Sequence, residues 1–375
     1  MTVVQASPTR FIGLDVHKHY LVAIGVDAEQ NQVFGPQRVE LRHLGRWIAK
    51  QLTKRDAVVL EMSTNSFQLY DDLVDHVYSV TLVHPPHVAL ITQAQVKTDR
   101  KAALILAQLH AARLLPTVWV PQPSCRDLRA LVAQRSKMVR LSTQAKNRLH
   151  ALLHRQRLGL PETGNPFASE NRLWWQQLSI SALEKVRLQS DLNTLEFAQT
   201  QIALLEQAFE LTAVQDKRVL LLIQLPGLAL ISAVALLAAI GDIRRFPAAK
   251  YLVGYAGLGA SVFDSGQIRR TGRITKAGRR DLRTAMVEVA HTAARTHPHW
   301  KAELARLEPR LGKPKAIVAI ARKLLVAVWH VLTKECPDRY ADPAQVARFL
   351  MQHAYRLGQD RRPEGQTMPM YVREQ

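Results

Sequence analysis

Cysteine is almost missing from this chain. Cys125 and Cys336 are the only two among 375 residues, which excludes a disulfide framework and a thiolate metal cluster and points to a reducing compartment. Acidic residues are also in short supply. Asp and Glu number 31 against 51 Lys and Arg, a formal net charge of +20. A field of that size calls for a polyanion, so nucleic acid is the expected partner. An anionic membrane surface is disfavoured, because the basic residues are spread over several segments and no lipidation pattern is present. Long hydrophobic runs are missing as well. The longest, 219–240, is interrupted by Gln224, Pro226 and Gly227, and 316–332 is broken by Arg322-Lys323. Neither reads as a membrane span. The opening MTVVQASPTRF lacks the charged-then-apolar pattern of a signal peptide. The expectation is a cytoplasmic, nucleoid-associated bacterial protein with no membrane partner.

What is present is an ordinary folded composition, 47% hydrophobic and 22% charged, in a chain long enough for two or three domains. Residues 11–35 alternate apolar and polar positions around a turn at 27–32, which predicts a hairpin. A helix near 42–53, a strand at 57–61, a helix at 66–77, a strand at 79–83 and a helix at 101–115 follow. Strands first and then alternating strands and helices predict a mixed sheet with helices packed on it. Leu131, Met138, Ala145 and Leu152 recur every seven residues. After a break at 160–169, Leu188, Leu195, Ile202 and Phe209 do the same. Ser181 and Glu184 form a capping box for the second run. Two long helices joined by a Pro/Gly/Asn loop predict an antiparallel coiled-coil hairpin over 121–215. From 216 to 358 the pattern is mostly helical around a Gly-rich region at 254–278, and 359–375 reads as a disordered tail.

Three spaced carboxylates stand in the first third: Asp15 in FIGLDVHK, Glu61 in AVVLEMS and Asp99 in VKTDRKA. A carboxylate inside an apolar strand is costly unless a cation or donor meets it. If the strands of Asp15 and Glu61 are neighbours, the three acids converge at one sheet edge and suit two Mg²⁺ ions about 3.5–4 Å apart. Singly, each has a plainer account: Asp99 as a helix-start residue, Glu61 as a polar strand end. Far downstream, Ser265 lies in a glycine-containing loop followed by Arg269, Arg270, Arg273, Lys276, Arg279, Arg280 and Arg283. Arginines clamp phosphate oxygens and stabilise charge on phosphorus. A serine among them is a candidate nucleophile, although residue types alone leave a turn residue or a phosphate donor open. The first linker helix carries many cations, among them Arg135, Arg140, Lys146 and Arg148, against a single acid, Asp127. That imbalance predicts a nucleic-acid-binding face. The Leu225-Pro226-Gly227-Leu228 turn fits either a phosphate-binding helix junction or an ordinary one. Trp174-Trp175 fits packing better than base stacking. His17, His84 and His87 fit polar or core histidines better than ligands.

Taken together, GLDVHK, VLEMS, VKTDRKAALILA, LPGLALISAVALLAAIGD, RRFPAAKYLVGYAGLGASVFDSG and RRTGRITKAGRRDLR, in that order over about 300 residues, resemble the DEDD insertion-sequence transposases, the RNA-guided bridge recombinases. The resemblance implies a RuvC-like domain of RNase H fold over 1–120, a coiled-coil linker over 121–215 and a transposase domain over 216–358. It implies that a guide RNA pairs with donor and target DNA, and that a homodimer or homotetramer works with Mg²⁺ or Mn²⁺. The family's catalytic serine maps onto Ser265 and its metal-binding acids onto Asp15, Glu61 and Asp99.

One position departs from the pattern. The family carries a fourth acid three residues after the third, where this chain has Ala102. The expectation is a weakened or dead metal site, through either an introduced change or natural decay. The function expected is strand cleavage and exchange through a phosphoserine intermediate. A metal-dependent junction resolvase using only the carboxylates and an inactive guide-RNA-binding protein are the alternatives.

Overall fold

Apolar, β-branched segments in the first 83 residues supply five of the six strands of one sheet. The computed structural model describes residues 7–86, 88, 98–265 and 268–357. The chain divides into two compact units, Met1–Val120 and Pro121–Gln375.

In the first unit, β1 (Arg10–Val16), β2 (Tyr20–Val26) and β3 (Gln32–Glu40) form an antiparallel meander. The expected hairpin over 11–35 is therefore three strands with two turns. The short turn after Val16 is hidden in the alternation pattern because Asp15 and His17 read as strand polar positions. α1 (Leu44–Gln51) leads to β4 (Asp56–Glu61), α2 (Ser66–Val74) and β5 (Ser79–Val83); α3 (Asp99–Ala111) precedes the short β6 (Thr117–Val118). The sheet order is β3-β2-β1-β4-β5-β6. β4 runs parallel to both β1 and β5. A strand buried on both faces needs an unbroken apolar run, and Ala57, Val58, Val59 and Leu60 supply it, all buried. The one charge in that strand that is wholly buried, Asp56, is met by the Arg10 guanidinium at 2.7 Å and by the Thr53 backbone N–H at 2.6 Å.

The second unit opens with two long helices, α4 (Pro123–Arg155) and α6 (Ala182–Gln215), separated by the short α5 (Arg172–Gln177). Their ion pairs show that they run antiparallel. Arg135 meets Glu206, Arg148 meets Asp191 and Arg155 meets Glu184, so partner numbers fall as the first helix rises. The heptad positions Ala145, Leu152, Leu188 and Leu195 share one buried cluster, closed at the far end by Trp175. The Trp175 indole donates to the Pro166 carbonyl at 2.7 Å, which settles that residue as packing. Ser181 caps α6 by accepting from the Glu184 backbone N–H at 3.3 Å.

The rest of the unit packs α7 (Lys217–Leu222), α8 (Leu230–Ile240), α9 (Ala249–Tyr255), α10 (Arg280–Thr296), α11 (Pro298–Leu311), α12 (Lys313–Lys334) and α13 (Pro343–Leu357). α12 is the one described helix long and apolar enough to cross a membrane. Ile317, Ile320, Leu324, Leu325 and Val328 place one face of it in the centre of the largest core. The Leu225–Leu228 turn is a tight junction. Gly227 has φ +81°, and a Cβ there would lie 2.5 Å from the Val289 carbonyl oxygen, so glycine is required both for the backbone angle and for the approach of α10. The Gly-rich region is not a loop throughout: β7 (Ala260–Ser265) and β8 (Ile268–Ile274) form a two-stranded hairpin. The tail expected to be disordered and His87 lie outside the described residues.

Candidate active site: a carboxylate–histidine cluster and a serine hairpin

Asp15 is the penultimate residue of β1, and side chains two apart share a sheet face. Gly13 therefore shares its face, and that face carries α3. A Cβ on Gly13 would stand 2.1 Å from the Ala103 carbonyl oxygen and 2.7 Å from the Ala107 nitrogen. The missing side chain lets α3 lie directly on β1. Thr98 starts the helix by accepting from the Lys101 backbone N–H at 3.3 Å. Asp99, in the first turn, is thereby carried to Asp15.

His17 completes the cluster. Its Nε2 lies 3.4 Å from Asp15 Oδ2 and 3.3 Å from Asp99 Oδ2, and one donor atom from each of the three residues lies within 4.8 Å of the others. Nε2 is shielded from solvent and has no hydrogen bond of good geometry. The His17 ring stacks on Tyr20, centroids 4.6 Å apart, and the Tyr20 hydroxyl donates to Asp99 Oδ2 at 2.9 Å. Arg38 lies over the Tyr20 ring, 3.8 Å from its centre. Burial pushes the Asp15 carboxyl above its ordinary range; His17 pulls it down and the Asp99 charge pushes it up. The hydrogen bond to Asp99 likewise raises the Tyr20 phenol.

Octahedral ligands about 2.1 Å from a divalent ion stand about 3 Å apart at right angles. The His17–Asp15 and His17–Asp99 spacings are close to that, and an imidazole nitrogen between two carboxylates is a donor set a divalent ion can use. Glu61 ends β4, the strand alongside β1, with Leu60 in register with Leu14. That brings it to the same sheet edge, but it does not belong to the tight group. Ala102 follows one helical turn after Asp99. His17 is the member of the cluster that sequence reasoning misses; its place two residues beyond Asp15 at a strand end is the signal that points to it.

Ser265 is the last residue of β7 and is exposed; Ile268 of β8 is its register partner. Arg270, Arg273, Lys276 and Arg280 are exposed along β8 and beyond it, whereas the Arg269 side chain lies outside the described residues. Arg279 is half-buried and paired with Asp281. Burial works to raise the Asp281 carboxyl, but the hydrogen bond and charge of Arg279 outweigh it and hold that carboxyl low. Arg283 donates to the carbonyls of Ala256 and Lys276 at 3.0 and 3.1 Å, bracing the base of the hairpin. On the long helix, Arg135 and Arg148 are engaged with acids of α6. Arg140 is exposed, and Lys146 sits 5.2 Å from the Phe167 ring centre.

Comparison with known proteins bears on both regions. Residues 219–305 match the model described as Transposase IS116/IS110/IS902 family, and residues 12–156 match the DEDD-type IS110 transposase model. The chain belongs to the IS110/IS116 transposase family. The first match spans Ser265 and its arginines; the second spans Asp15, Glu61 and Asp99. The transposase for insertion sequence element IS1111A of Coxiella burnetii is 24% identical over 336 residues, 87% of this chain and 90% of its own length. The pilin gene-inverting protein of Moraxella bovis is 26% identical over 340 residues, 87% of this chain and 97% of its own. This transposase is thus a DNA recombination enzyme, and its DEDD type points to divalent metal.

Proposed function

We propose that this transposase cleaves and exchanges DNA strands under the direction of a guide RNA, with Ser265 as nucleophile and the Asp15–His17–Asp99 cluster as metal site. The observation that carries the reading is the convergence of two carboxylates and an imidazole nitrogen at one strand end, produced by the contact of α3 with Gly13. The sheet order β3-β2-β1-β4-β5, with β1–β3 antiparallel and β4 and β5 parallel to β1, supports an RNase H-like, RuvC-like domain over 1–120. The antiparallel pair of long helices supports a coiled-coil linker over 121–215, followed by the transposase domain over 216–358.

Asp15, Asp99 and His17, with Glu61 beside them, would hold Mg²⁺ or Mn²⁺. A divalent ion there supplies Lewis-acid neutralisation of charge on the phosphate oxygens. The Ser265 oxygen attacks phosphorus, forming a P–O bond to serine as the bond to the leaving strand oxygen breaks. The hydroxyl proton goes to solvent base and the leaving oxygen regains one. A second strand hydroxyl then reverses the step, so no free phosphoester energy is lost. Exposed Arg270, Arg273 and Lys276 bear on the phosphate charge. The acids and the serine stand on different units of the chain, and the reading has them meet across the subunits of a homodimer or homotetramer. Ala102 leaves the fourth acid out, and His17 would stand in as the further ligand.

The test is strand exchange between donor and target duplexes using RNA that co-purifies with the protein. Wild type and Ala102→Asp are expected to exchange strands, with loss on Ser265→Ala, on Asp15→Asn and on ribonuclease treatment. Exchange that survives Ser265→Ala would remove the serine mechanism. Exchange that survives ribonuclease would remove the guide.

A further inference from the structure

The second unit holds a cavity of about 1260 Å³, of whose lining the proposed chemistry uses only Arg273 and Lys276. It lies among the base of the β7–β8 hairpin, α11, α12 and residues 338–340. Six cations line it, Arg273, Lys276, Lys315, Arg322, Lys323 and Arg339, against two carboxylates, Glu303 and Asp338. Glu303 is already held by Arg306 and Lys323. Arg273, Lys315 and Arg322 are exposed. Arg322 and Lys323 are the residues that interrupt the apolar run of α12. They turn outward from the core face, toward this cavity. The floor between the cations is apolar: Leu258, Ile274, Val318 and Val326. One wall is a column of flat groups. Arg339 lies 4.6 Å from the Tyr340 ring centre, and Tyr340 stacks on His299 with centroids 4.3 Å apart and planes 21° apart.

We infer that this cavity takes an unpaired polynucleotide strand, its phosphates on the cationic rim and one or more bases against the Tyr340–His299 column. The cavity exceeds the roughly 300–1,000 Å³ of ordinary small-ligand pockets. A cube of the cavity's volume is about 11 Å on edge, less than the roughly 12 Å width of the major groove alone, so a whole duplex does not enter it. Cationic rims with stacked rings are the recognition pattern of single strands, because every base has a π-face and every linkage a charge. An acidic peptide shares the charge but has no use for the stack. The inference rests on the reading of the chain as a nucleic-acid enzyme, and the test separates the two.

Fluorescence anisotropy of labelled 12-nucleotide oligo(dT), 12-nucleotide oligo(rU) and a duplex of 20 base pairs measures binding to the full chain. Lys315→Glu/Arg322→Glu is expected to weaken single-strand binding at least tenfold. It should also flatten the log–log salt slope by about 0.7 for each phosphate no longer neutralised. Tyr340→Ala is expected to weaken the same probe with the slope unchanged. Duplex binding stays within twofold in both variants, and circular dichroism checks their folding. Preference for oligo(rU) identifies RNA as the occupant, preference for oligo(dT) identifies DNA, and either supports the cavity. Single-strand binding unaltered in both folded variants would overturn it, as would equal competition by polyglutamate. Failure of the wild type to bind any of the three probes would instead sink the reading of the chain as a nucleic-acid enzyme.

Discussion

Gly13→Ala is the smallest change that should reach the metal site without touching a ligand. The added Cβ would stand 2.1 Å from the Ala103 carbonyl oxygen, 2.7 Å from the Ala107 nitrogen and 3.0 Å from Leu106 Cβ. Ordinary nonbonded separation is about 3.5 Å, and two of the three atoms are helix backbone that no rotamer change can move. α3 must therefore retreat from β1 by roughly 1 Å or more. Overpacking of this kind costs about 1–3 kcal/mol. Asp99 rides on the first turn of that helix, and metal–ligand distances keep within about 0.2 Å of their usual values. We expect the unfolding free energy of the first unit to fall by about 1–3 kcal/mol in urea and the Mn²⁺ dissociation constant to rise about tenfold or more, read by electron paramagnetic resonance of free Mn²⁺. Gly45→Ala is the control: nothing lies within 4 Å of a Cβ there, and an alanine in α1 should stabilise by about 0.5–1 kcal/mol. Wild-type stability and wild-type Mn²⁺ affinity in Gly13→Ala would refute the argument that this close approach positions Asp99.

Three further outcomes follow from individual side chains. Hydrogen bonds from Arg306 and Lys323 hold the Glu303 carboxyl down to about 2, against an ordinary 4.5. A depressed folded value means the stabilisation is complete above about pH 4.5 and disappears as the pH falls toward about 2. Because the two partners are more than half exposed, Glu303→Gln should cost only about 1 kcal/mol at pH 7, shrinking to nothing near pH 2 in denaturation series. Tyr20→Phe removes the donor to Asp99 and should weaken Mn²⁺ binding about tenfold, as for other supporting groups around metals, with unfolding in urea unchanged. Trp175→Ala empties the tip of the helix pair and should cost about 3–5 kcal/mol, whereas Trp175→Phe, losing mainly the bond to Pro166, should cost about 1 kcal/mol by the same assay.

The parts of the site that can be read from the sequence are those fixed by local pattern. Asp15 stands out because a carboxylate interrupts an apolar strand, and Asp99 because Thr98 is a helix-start residue. His17 does not, because its meeting with Asp99 depends on how α3 docks. That docking turns on one absent side chain, at Gly13, far from Asp99 in sequence. The basic surplus of the first long helix overstates its free charge for a similar reason. Arg135 and Arg148 are matched by Glu206 and Asp191, and a count taken along one helix cannot see acids on another. The hairpin at Ser265 is hidden by composition. Val262, Phe263, Ile268 and Ile274 carry its strands, but glycines and arginines between them break the alternation that marks a strand.

The most direct test of the central claim is the chemistry at residue 265. The protein and its Ala102→Asp variant are each incubated with donor DNA and Mn²⁺, quenched in denaturant, digested with nuclease and protease, and analysed by mass spectrometry. The account predicts a nucleotide phosphate on the peptide carrying Ser265, absent from Asp15→Asn and from Ser265→Ala. Cleaved DNA with no covalent protein, or an adduct that persists in Ser265→Ala, would contradict it.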